Sequence, residues 1–343
     1  MRGTRRARHI ALWGGGALGV LAAGGSGALA GVLFAETKLA RRRIPQATTD
    51  PPVSHDTTWA AAGVSRTRTP IRLAWMGDST AAGYGVVHDR ETPAAQLAIG
   101  ISEAARRPVH VTNVAVVGAT SANLPDQLAR LRALGRHRPE LTVIMIGAND
   151  VTARSAPAVA VPHLEDTVRA LVDGGVEVVV GTCPDLGTIR PISQPLRAYA
   201  RRLSRRMARE QTVAVVRAGG RTVSLGDLLG PLFMTRLELF SEDRFHPSAA
   251  GYAEAAAAML PSALDALGLR TRARSASAFT TRRVKPVARA AAQAAAHPGT
   301  EVVGAERFGR AENRRGPLAR LRRRLPRRRS LPPTSPDGAV PVR

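Results

Sequence analysis

The chain has 343 residues and a formal net charge of +24, most of which is concentrated towards its ends. Residues 66–269 carry a net charge of only +4, whereas residues 270–343 carry +15. The middle of the chain is therefore long enough and ordinary enough in composition to form one sizeable globular domain. The only cysteine, Cys183, excludes an intrachain disulfide, and its place after an apolar run predicts a buried structural thiol.

An uncharged run from residue 10 to residue 35 follows a basic N-terminus, residues 1–9. A helix of that length would cross the ~30 Å hydrocarbon core of a bilayer. Ala28-Leu29-Ala30 also matches a small-x-small cleavage site, so a removed secretory signal is the alternative. We expect a single-span membrane anchor with the remaining chain on the extracytoplasmic side, although both flanks of the run carry equal numbers of basic residues.

Residues 36–70 contain four prolines among polar residues, which is typical of a linker. From residue 71 onward, apolar runs alternate with segments of helical periodicity. Strands are predicted at Ile71–Met76, Val109–Val117, Leu141–Ile146, Val176–Gly181 and Val213–Val216, and helices at about 93–107, 122–137, 158–173, 195–210 and 247–267. This alternation predicts an α/β domain over residues 71–269, in which a five-stranded parallel sheet is covered on both faces by helices.

The last segment, residues 270–343, is rich in arginine, alanine and proline and contains one aromatic residue, Phe308. Its composition predicts a disordered cationic tail. We expect such a tail to contact anionic lipid or another polyanion, or simply to remain solvated. Specific nucleic-acid binding is disfavoured because the tail has so few aromatic side chains for base stacking.

Three short polar motifs each follow a predicted strand. Gly77-Asp78-Ser79 ends the first strand, Gly118 ends the second, and Gly147-Ala148-Asn149-Asp150 ends the third. Because the carboxyl ends of parallel strands meet at one edge of a sheet, we expect these motifs to be neighbours in space. A serine at that edge, next to a helix N-terminus, is well placed to act as a nucleophile beside N–H donors.

A fourth motif, Asp243-x-x-His246-Pro247, precedes the last predicted helix. A serine hydroxyl needs a general base within hydrogen-bond reach, and the ordinary pKa of histidine suits that task. An aspartate on the same loop can accept a hydrogen bond from the other ring nitrogen and fix the tautomer. Alone, each of the four motifs has a structural explanation as a turn or a helix cap. Together they supply every part of an acyl-transfer site.

These four motifs, in this order, resemble the signature blocks of the SGNH subgroup of GDSL esterases and lipases, over residues 71–255. The resemblance implies a flavodoxin-like three-layer sandwich. It also implies that Ser79 is the nucleophile, His246 the general base and Asp243 the residue that orients it. The N–H groups of Ser79 and Gly118 and the side-chain amide of Asn149 are implied to form the oxyanion hole. The residues after the serine, Thr80–Gly83, depart from the family's commoner pattern.

The sequence contains no motif for a metal, a nucleotide or another cofactor, so none is expected. His88 lies near the first motif but lacks the acidic and proline context of His246, and Asp78 is interpreted as a turn residue. The apolar segment Leu228–Phe240 is interpreted either as a lid or pocket wall, or as a core helix.

We expect a serine esterase acting on a small-molecule, lipid or glycan ester. A polysaccharide O-deacetylase and a lysophospholipase or thioesterase are the enzymatic alternatives. A catalytically silent membrane-bound adaptor that works through its cationic tail is the alternative from another class. The intact set of motif residues argues against the adaptor.

Overall fold

The computed structural model describes residues 51–52, 56–134, 138–269, 284–286, 289, 300–305 and 318–323. The predicted segments 1–9 and 10–35, and most of the predicted tail, lie outside these residues. Within the part of the chain that is described, no helix is both long and apolar enough to cross a bilayer.

One mixed sheet runs through the molecule. Its strands are β1 (Asp56–Trp59), β2 (Ile71–Gly77), β3 (Val109–Asn113), β4 (Leu141–Met145), β5 (Glu177–Gly181), β6 (Arg221–Val223), β7 (Val284–Pro286), β8 (Thr300–Ala305) and β9 (Leu318–Arg323). They are arranged in the order β1-β3-β2-β4-β5-β6-β8-β9-β7. The five neighbouring strands β3, β2, β4, β5 and β6 are parallel to one another, as predicted. On either side of them, β1 pairs antiparallel with β3 and β8 pairs antiparallel with β6.

The helices lie on both faces of the sheet. They are α1 (Ser79–Ala82), α2 (Pro93–Ala105), α3 (Leu124–Leu134), α4 (Ala148–Thr152), α5 (Pro157–Asp173), α6 (Leu196–Arg217), α7 (Leu225–Thr235) and α8 (Ala249–Ala266). Alternate residues of β2 point to opposite faces. Leu73 and Trp75 pack with α2 and α8, whereas Ala74 and Met76 pack with α3, α5 and α6. The predicted three-layer α/β/α sandwich is therefore confirmed.

The predicted fifth strand is wrong in position. Val213–Val216 lies inside α6, where Val215 packs against Val168 of α5 in one of the two cores that flank the sheet. Burial on the inner face of a long helix overrides the strand preference of these β-branched residues. The fifth parallel strand is instead β6, a three-residue element that pairs with β5 from Val179↔Arg221 onward.

The ends of the described domain also differ from the prediction. The linker predicted over residues 36–70 contains β1, which pairs antiparallel with β3 from Asp56↔Thr112 to Trp59↔Val109. The tail predicted to be disordered, residues 270–343, contains three strands, β7, β8 and β9. Single-sequence patterns missed these strands because their backbone pairing is long-range: β1 and β7 are short edge strands, and β9 alternates leucine and alanine with arginine instead of forming an apolar run.

The sheet order places a crevice at the carboxyl end of β2. The chain leaves β2 towards β3 on one side and returns to β4 on the other, so the connections diverge at this point. In open α/β sheets ligands bind at such a topological switch point. Ser79 follows β2, Gly118 follows β3 and Asn149 follows β4, so all three lie at this edge.

Candidate active site

The turn after β2 places Ser79, which is 8% exposed, at the N-terminus of α1. Gly77 has a φ of 140°, and a Cβ there would lie 1.9 Å from the carbonyl oxygen of Met145 on β4. Only glycine allows this approach of the two strands. The next residue, Asp78, caps α1 by accepting a hydrogen bond from the N–H of Thr80 at 2.9 Å, as expected of a turn residue.

Three motif side chains form one hydrogen-bonded run. Oγ of Ser79 lies 2.8 Å from Nε2 of His246. Nδ1 of His246 lies 2.6 Å from Oδ2 of Asp243. A carboxylate can only accept, so Nδ1 carries the proton, Nε2 accepts, and the hydroxyl of Ser79 donates. The structure therefore brings together the three residues that the sequence singled out as nucleophile, base and orienting acid.

The loop that carries His246 is organised by the same aspartate. Oδ1 of Asp243 accepts hydrogen bonds from the N–H groups of Phe245 and His246, both at 2.8 Å, and from the hydroxyl of Ser241 at 2.7 Å. Burial opposes ionisation of Asp243, but the hydrogen bonds from His246, Phe245 and Ser241 outweigh it and hold the pKa near 2. Asp243 is therefore ionised at neutral pH.

Two aromatic rings enclose the imidazole of His246. The ring centroid of Tyr84 lies 4.6 Å away and that of Phe245 lies 4.9 Å away, both in edge-to-face geometry. Tyr84 is held in turn by the buried Tyr252, whose hydroxyl donates to the carbonyl of Tyr84 at 2.6 Å. The orientation of the imidazole is thus fixed by packing as well as by Asp243.

N–H donors converge on the same edge of the sheet. Among the described residues, neither the N–H of Ser79 nor that of Gly118 has a hydrogen-bond acceptor. Nδ2 of Asn149 donates one hydrogen to the carbonyl of Ala119 at 3.0 Å and keeps a second hydrogen. Gly118 has a φ of 82°, which suits glycine. The predicted donors Ser79, Gly118 and Asn149 therefore each have an N–H available.

Two buried glutamines that the sequence analysis did not single out support this edge. The side chain of Gln127 accepts from the N–H of Gly77 and donates to its carbonyl, both at 2.8 Å. The side chain of Gln211 accepts from the N–H of Cys183 at 2.8 Å and donates to the carbonyl of Ile146 at 3.1 Å. The sequence carries one sign of the role of Gln127: it is a polar residue on the apolar face of α3 that Leu124, Leu128 and Leu131 form.

A second buried carboxyl lies beside the nucleophile. Asp78 is 3% exposed, and this burial raises the pKa of its carboxyl to about 6, despite the hydrogen bond from the N–H of Thr80. Cys183 is buried as predicted, and burial raises the pKa of its thiol well above the usual value. His88 is exposed at the start of a 3₁₀ turn and is not part of the run that joins Ser79 to Asp243.

An open cleft adjoins the hydrogen-bonded run. Asp78 and Thr80, on either side of Ser79, line it, as do Phe245 and Pro247, on either side of His246. Its other walls are mainly apolar and come from the ends of β4 and β5, the start of α4, the loop after β5, α7, the segment after α7, and α8. They are Met145, Ile146, Ala148, Gly181, Thr182, Pro184, Asp185, Leu186, Thr188, Ile189, Leu225, Leu229, Gly230, Phe233, Phe240 and Ala255.

The segment Leu228–Phe240 contributes both to the wall of the cleft and to the core. Leu229, Phe233 and Phe240 line the cleft, while Leu228 and Leu229 pack against the core on one face of the sheet. The other acidic residue of the cleft wall, Asp185, is paired with Arg201, whose Nε lies 3.2 Å from its carboxylate. In the described part of the chain, no cluster of three or more His, Cys, Asp or Glu side chains could hold a metal ion.

Sequence comparisons agree with this geometry. The GDSL-like Lipase/Acylhydrolase family matches residues 75–254. A GDSL-like esterase of Mycobacterium tuberculosis is 42% identical over 242 residues, which cover 69% of this chain and 77% of the relative. An arylesterase of Vibrio mimicus is 33% identical over 110 residues, or 32% of this chain and 52% of that protein.

Among solved structures, the SGNH-hydrolase family esterase AlinE4 is similar at 22% identity, with a TM-score of 0.43, over 59% of this chain and 99% of that one. The family match spans more than half of this chain and includes all four motifs. The chain belongs to the GDSL-like lipase/acylhydrolase family and is a carboxylic ester hydrolase of the GDSL type.

Proposed function

We propose that this chain is a serine esterase that cleaves carboxylic esters through an acyl intermediate on Ser79. The observation that supports this most strongly is the hydrogen-bonded run from Ser79 to His246 and on to Asp243, at 2.8 Å and 2.6 Å. A serine hydroxyl is a weak nucleophile unless a base takes its proton, and His246 is in position to do so.

In the acylation step, Oγ of Ser79 forms a bond to the ester carbonyl carbon while its proton passes to Nε2 of His246. The imidazolium that results is stabilised by the ionised carboxylate of Asp243, which holds Nδ1–H. The carbonyl π-electron pair moves to the oxygen. When the intermediate collapses, the C–O bond to the alcohol breaks and His246 returns the proton to the leaving oxygen.

The developing oxyanion would be met by the N–H groups of Ser79 and Gly118 and by the second amide hydrogen of Asn149. Preorganised donors of this kind are each worth about 3–4 kcal/mol of transition-state stabilisation. Water then attacks the acyl-enzyme with His246 as base, which releases the carboxylic acid and regenerates Ser79.

The cleft supports an ester with an apolar acyl or aryl part as the substrate. Most of its wall is aliphatic or aromatic, from residues such as Leu225, Leu229, Phe233 and Phe245, and the carboxylate of Asp185 is already paired with Arg201. The relative from Vibrio mimicus is named an arylesterase, which fits such a cleft. A polysaccharide deacetylase, which must bind hydroxyl-rich sugar rings, has no comparable support here.

A chain-length series of p-nitrophenyl esters, from acetate to dodecanoate, tests the proposal on the full chain with Ser79→Ala as the control. We expect hydrolysis of the series by the wild type, higher kcat/KM for acyl chains longer than acetate, and a loss of at least about 10⁴-fold in Ser79→Ala. Wild-type rates from a folded Ser79→Ala protein would contradict the role of Ser79. A preference for acetate alone would contradict the apolar substrate.

We further propose that residues 10–35 anchor the enzyme in a membrane with the hydrolase domain on the extracytoplasmic side, and that the arginine-rich tail contacts anionic lipid. The support is the uncharged length of the first segment and the +15 net charge of residues 270–343. Membrane fractionation followed by protease protection tests this. Recovery of the full-length chain in the soluble fraction would contradict the anchor.

A further inference from the structure

The loop after β3 that carries Gly118 is not held in place by packing around that residue. A Cβ built on Gly118 would have no heavy atom within 4 Å, so the glycine faces open space. Its φ of 82° is one of many values that glycine can adopt. On its N-terminal side the loop is tied by backbone hydrogen bonds, from the N–H of Val116 to the carbonyl of Gly77 and from the N–H of Ala119 to the carbonyl of Val116, both at 3.1 Å. The position of the Gly118 N–H, which the proposed function uses as a donor to the oxyanion, also depends on what holds the residues after it.

A carboxylate on the neighbouring helix α4 supplies this restraint. The two carboxylate oxygens of Asp150 lie 3.1 Å and 3.0 Å from the N–H nitrogen of Ser121, and Oδ2 also accepts from the hydroxyl of Ser121 at 2.9 Å. Asp150 and Ser121 are each 1% exposed, so water cannot replace these bonds. Burial raises the pKa of the Asp150 carboxyl, and the hydrogen bonds from Ser121 oppose that shift because they favour the ionised form.

The residue before Asp150 ties the same loop at a second point. Nδ2 of Asn149 donates to the carbonyl of Ala119 at 3.0 Å, directly after Gly118. The two consecutive side chains of α4 therefore hold residues 119 and 121. One side chain accepts from an N–H and the other donates to a carbonyl. These bonds fix the position of the loop after β3 relative to α4. The loop carries the proposed oxyanion donor Gly118, and α4 carries Asn149.

We propose that Asp150 is a positioning residue for the oxyanion hole, which acts by holding the loop that presents the N–H of Gly118. This inference rests on the proposed function. Asp150 does not touch the reacting atoms. Its contribution is to keep the Gly118 donor at the position where negative charge develops, where a displacement of about 1 Å can cost about 10²-fold in rate.

The test compares Asp150→Ala and Asp150→Asn with the wild type in the full chain. For p-nitrophenyl butyrate, we expect Asp150→Ala to lower kcat by about 10- to 100-fold with KM changed by less than about threefold. Asp150→Asn keeps an acceptor for the N–H of Ser121, and we expect a smaller loss. It also keeps the proposal testable should Asp150→Ala fail to fold.

A trifluoromethyl ketone inhibitor separates positioning from a general structural role, because its adduct with the serine carries an alkoxide in the oxyanion hole. We expect its affinity to fall by the same factor as kcat/KM in both variants. Asp227→Ala is the control, since it removes a 2.8 Å Ser224–Asp227 hydrogen bond outside the Gly118 loop. We expect it to leave kcat and inhibitor affinity within about threefold of the wild type.

The proposal would be overturned if folded Asp150→Ala kept kcat within threefold of the wild type, or lost kcat without losing inhibitor affinity. Failure of the proposed function would be recognised differently. In that case the wild type would show no hydrolysis that depends on Ser79, and the ketone would not bind to the wild type either.

Discussion

The hydroxyl oxygen of Ser79 lies 2.8 Å from Nε2 of His246, although 167 positions separate the two residues along the chain. Ser79 follows the central strand β2, and His246 lies on the loop that enters α8. The contact therefore exists only in the folded domain. In the proposed function this contact makes Ser79 the nucleophile and His246 its base.

Replacing Asp243 with asparagine should remove catalysis without removing the fold of the loop. The amide oxygen can still accept from the N–H groups of Phe245 and His246, which now bond to Oδ1. The amide nitrogen would face Nδ1 of His246 and favour the wrong tautomer. We expect kcat to fall by about 10⁴-fold, with an unchanged circular dichroism spectrum. A folded variant within tenfold of the wild-type kcat would contradict the role of Asp243.

Replacing Asn149 with alanine should remove one oxyanion donor. We expect kcat to fall by about 10²- to 10³-fold with a small change in KM. The hydrogen bond to the carbonyl of Ala119 is lost as well, so some of this effect comes from the loop. Steady-state kinetics with p-nitrophenyl butyrate measure it, and wild-type turnover by the folded variant would contradict the assignment.

Replacing Asp78 with asparagine should stabilise the protein more at pH 8 than at pH 4. Burial raises the pKa of Asp78 from 3.8 to about 6, so the folded state favours the protonated acid. The stability that protonation provides is complete below about pH 4 and is lost as the pH rises through about 6. By pH 8 this loss amounts to at most about 3 kcal/mol.

Urea unfolding of the wild type and Asp78→Asn between pH 4 and pH 8 measures this difference. Asp243 does not interfere, because its pKa of about 2 places its own titration below this window. Its stabilisation is present above pH 3.8 and is lost only as the pH falls through 2. If the free energies of unfolding of the two proteins differed by the same amount at pH 4 and at pH 8, Asp78 would not titrate as expected.

Filling the cleft at Gly230 should shorten the preferred acyl chain. A Cβ at this position would lie 3.7 Å from Cβ of Asp185, an ordinary contact, so alanine should be tolerated. A leucine would extend into the cleft that Gly230 lines. We expect Gly230→Leu to lower kcat/KM for octanoate relative to acetate by about tenfold or more, because each buried methylene contributes ~0.8 kcal/mol.

Gly230→Ala is the matched control for this change and should keep a ratio near that of the wild type. The comparison uses the same p-nitrophenyl ester series for all three proteins. If Gly230→Leu kept the wild-type preference for octanoate over acetate, the acyl chain would have to bind outside this cleft.

The sequence predicted the centre of the domain better than its edges. Strands such as β2 and β4 are nearly continuous apolar runs because both faces of the sheet are covered, and that pattern can be recognised locally. The fifth strand was misplaced because the valines of α6 resemble a strand, while β6 has only three residues. β1 was missed because its pairing with β3 is not encoded in its own residues.

The residues proposed to react, Ser79, His246 and Asp243, could be singled out from the sequence because their chemistry restricts them to a few residue types in recognisable motifs. The residues that hold them could not. Gln127, Gln211 and Asp150 act through buried hydrogen bonds to backbone groups far along the chain, and such partners become known only when the elements are packed. A polar residue on an apolar helical face was the only local sign of the first of these.

The central claim is that the hydroxyl of Ser79 becomes covalently bonded because His246 activates it. Labelling of the full chain with a fluorophosphonate, followed by mass spectrometry of its peptides, tests this most directly. We expect one adduct, on the peptide that contains Ser79, with labelling abolished in Ser79→Ala and slowed by at least about 10³-fold in His246→Ala. An adduct on another residue, or equally fast labelling of folded His246→Ala, would contradict the account.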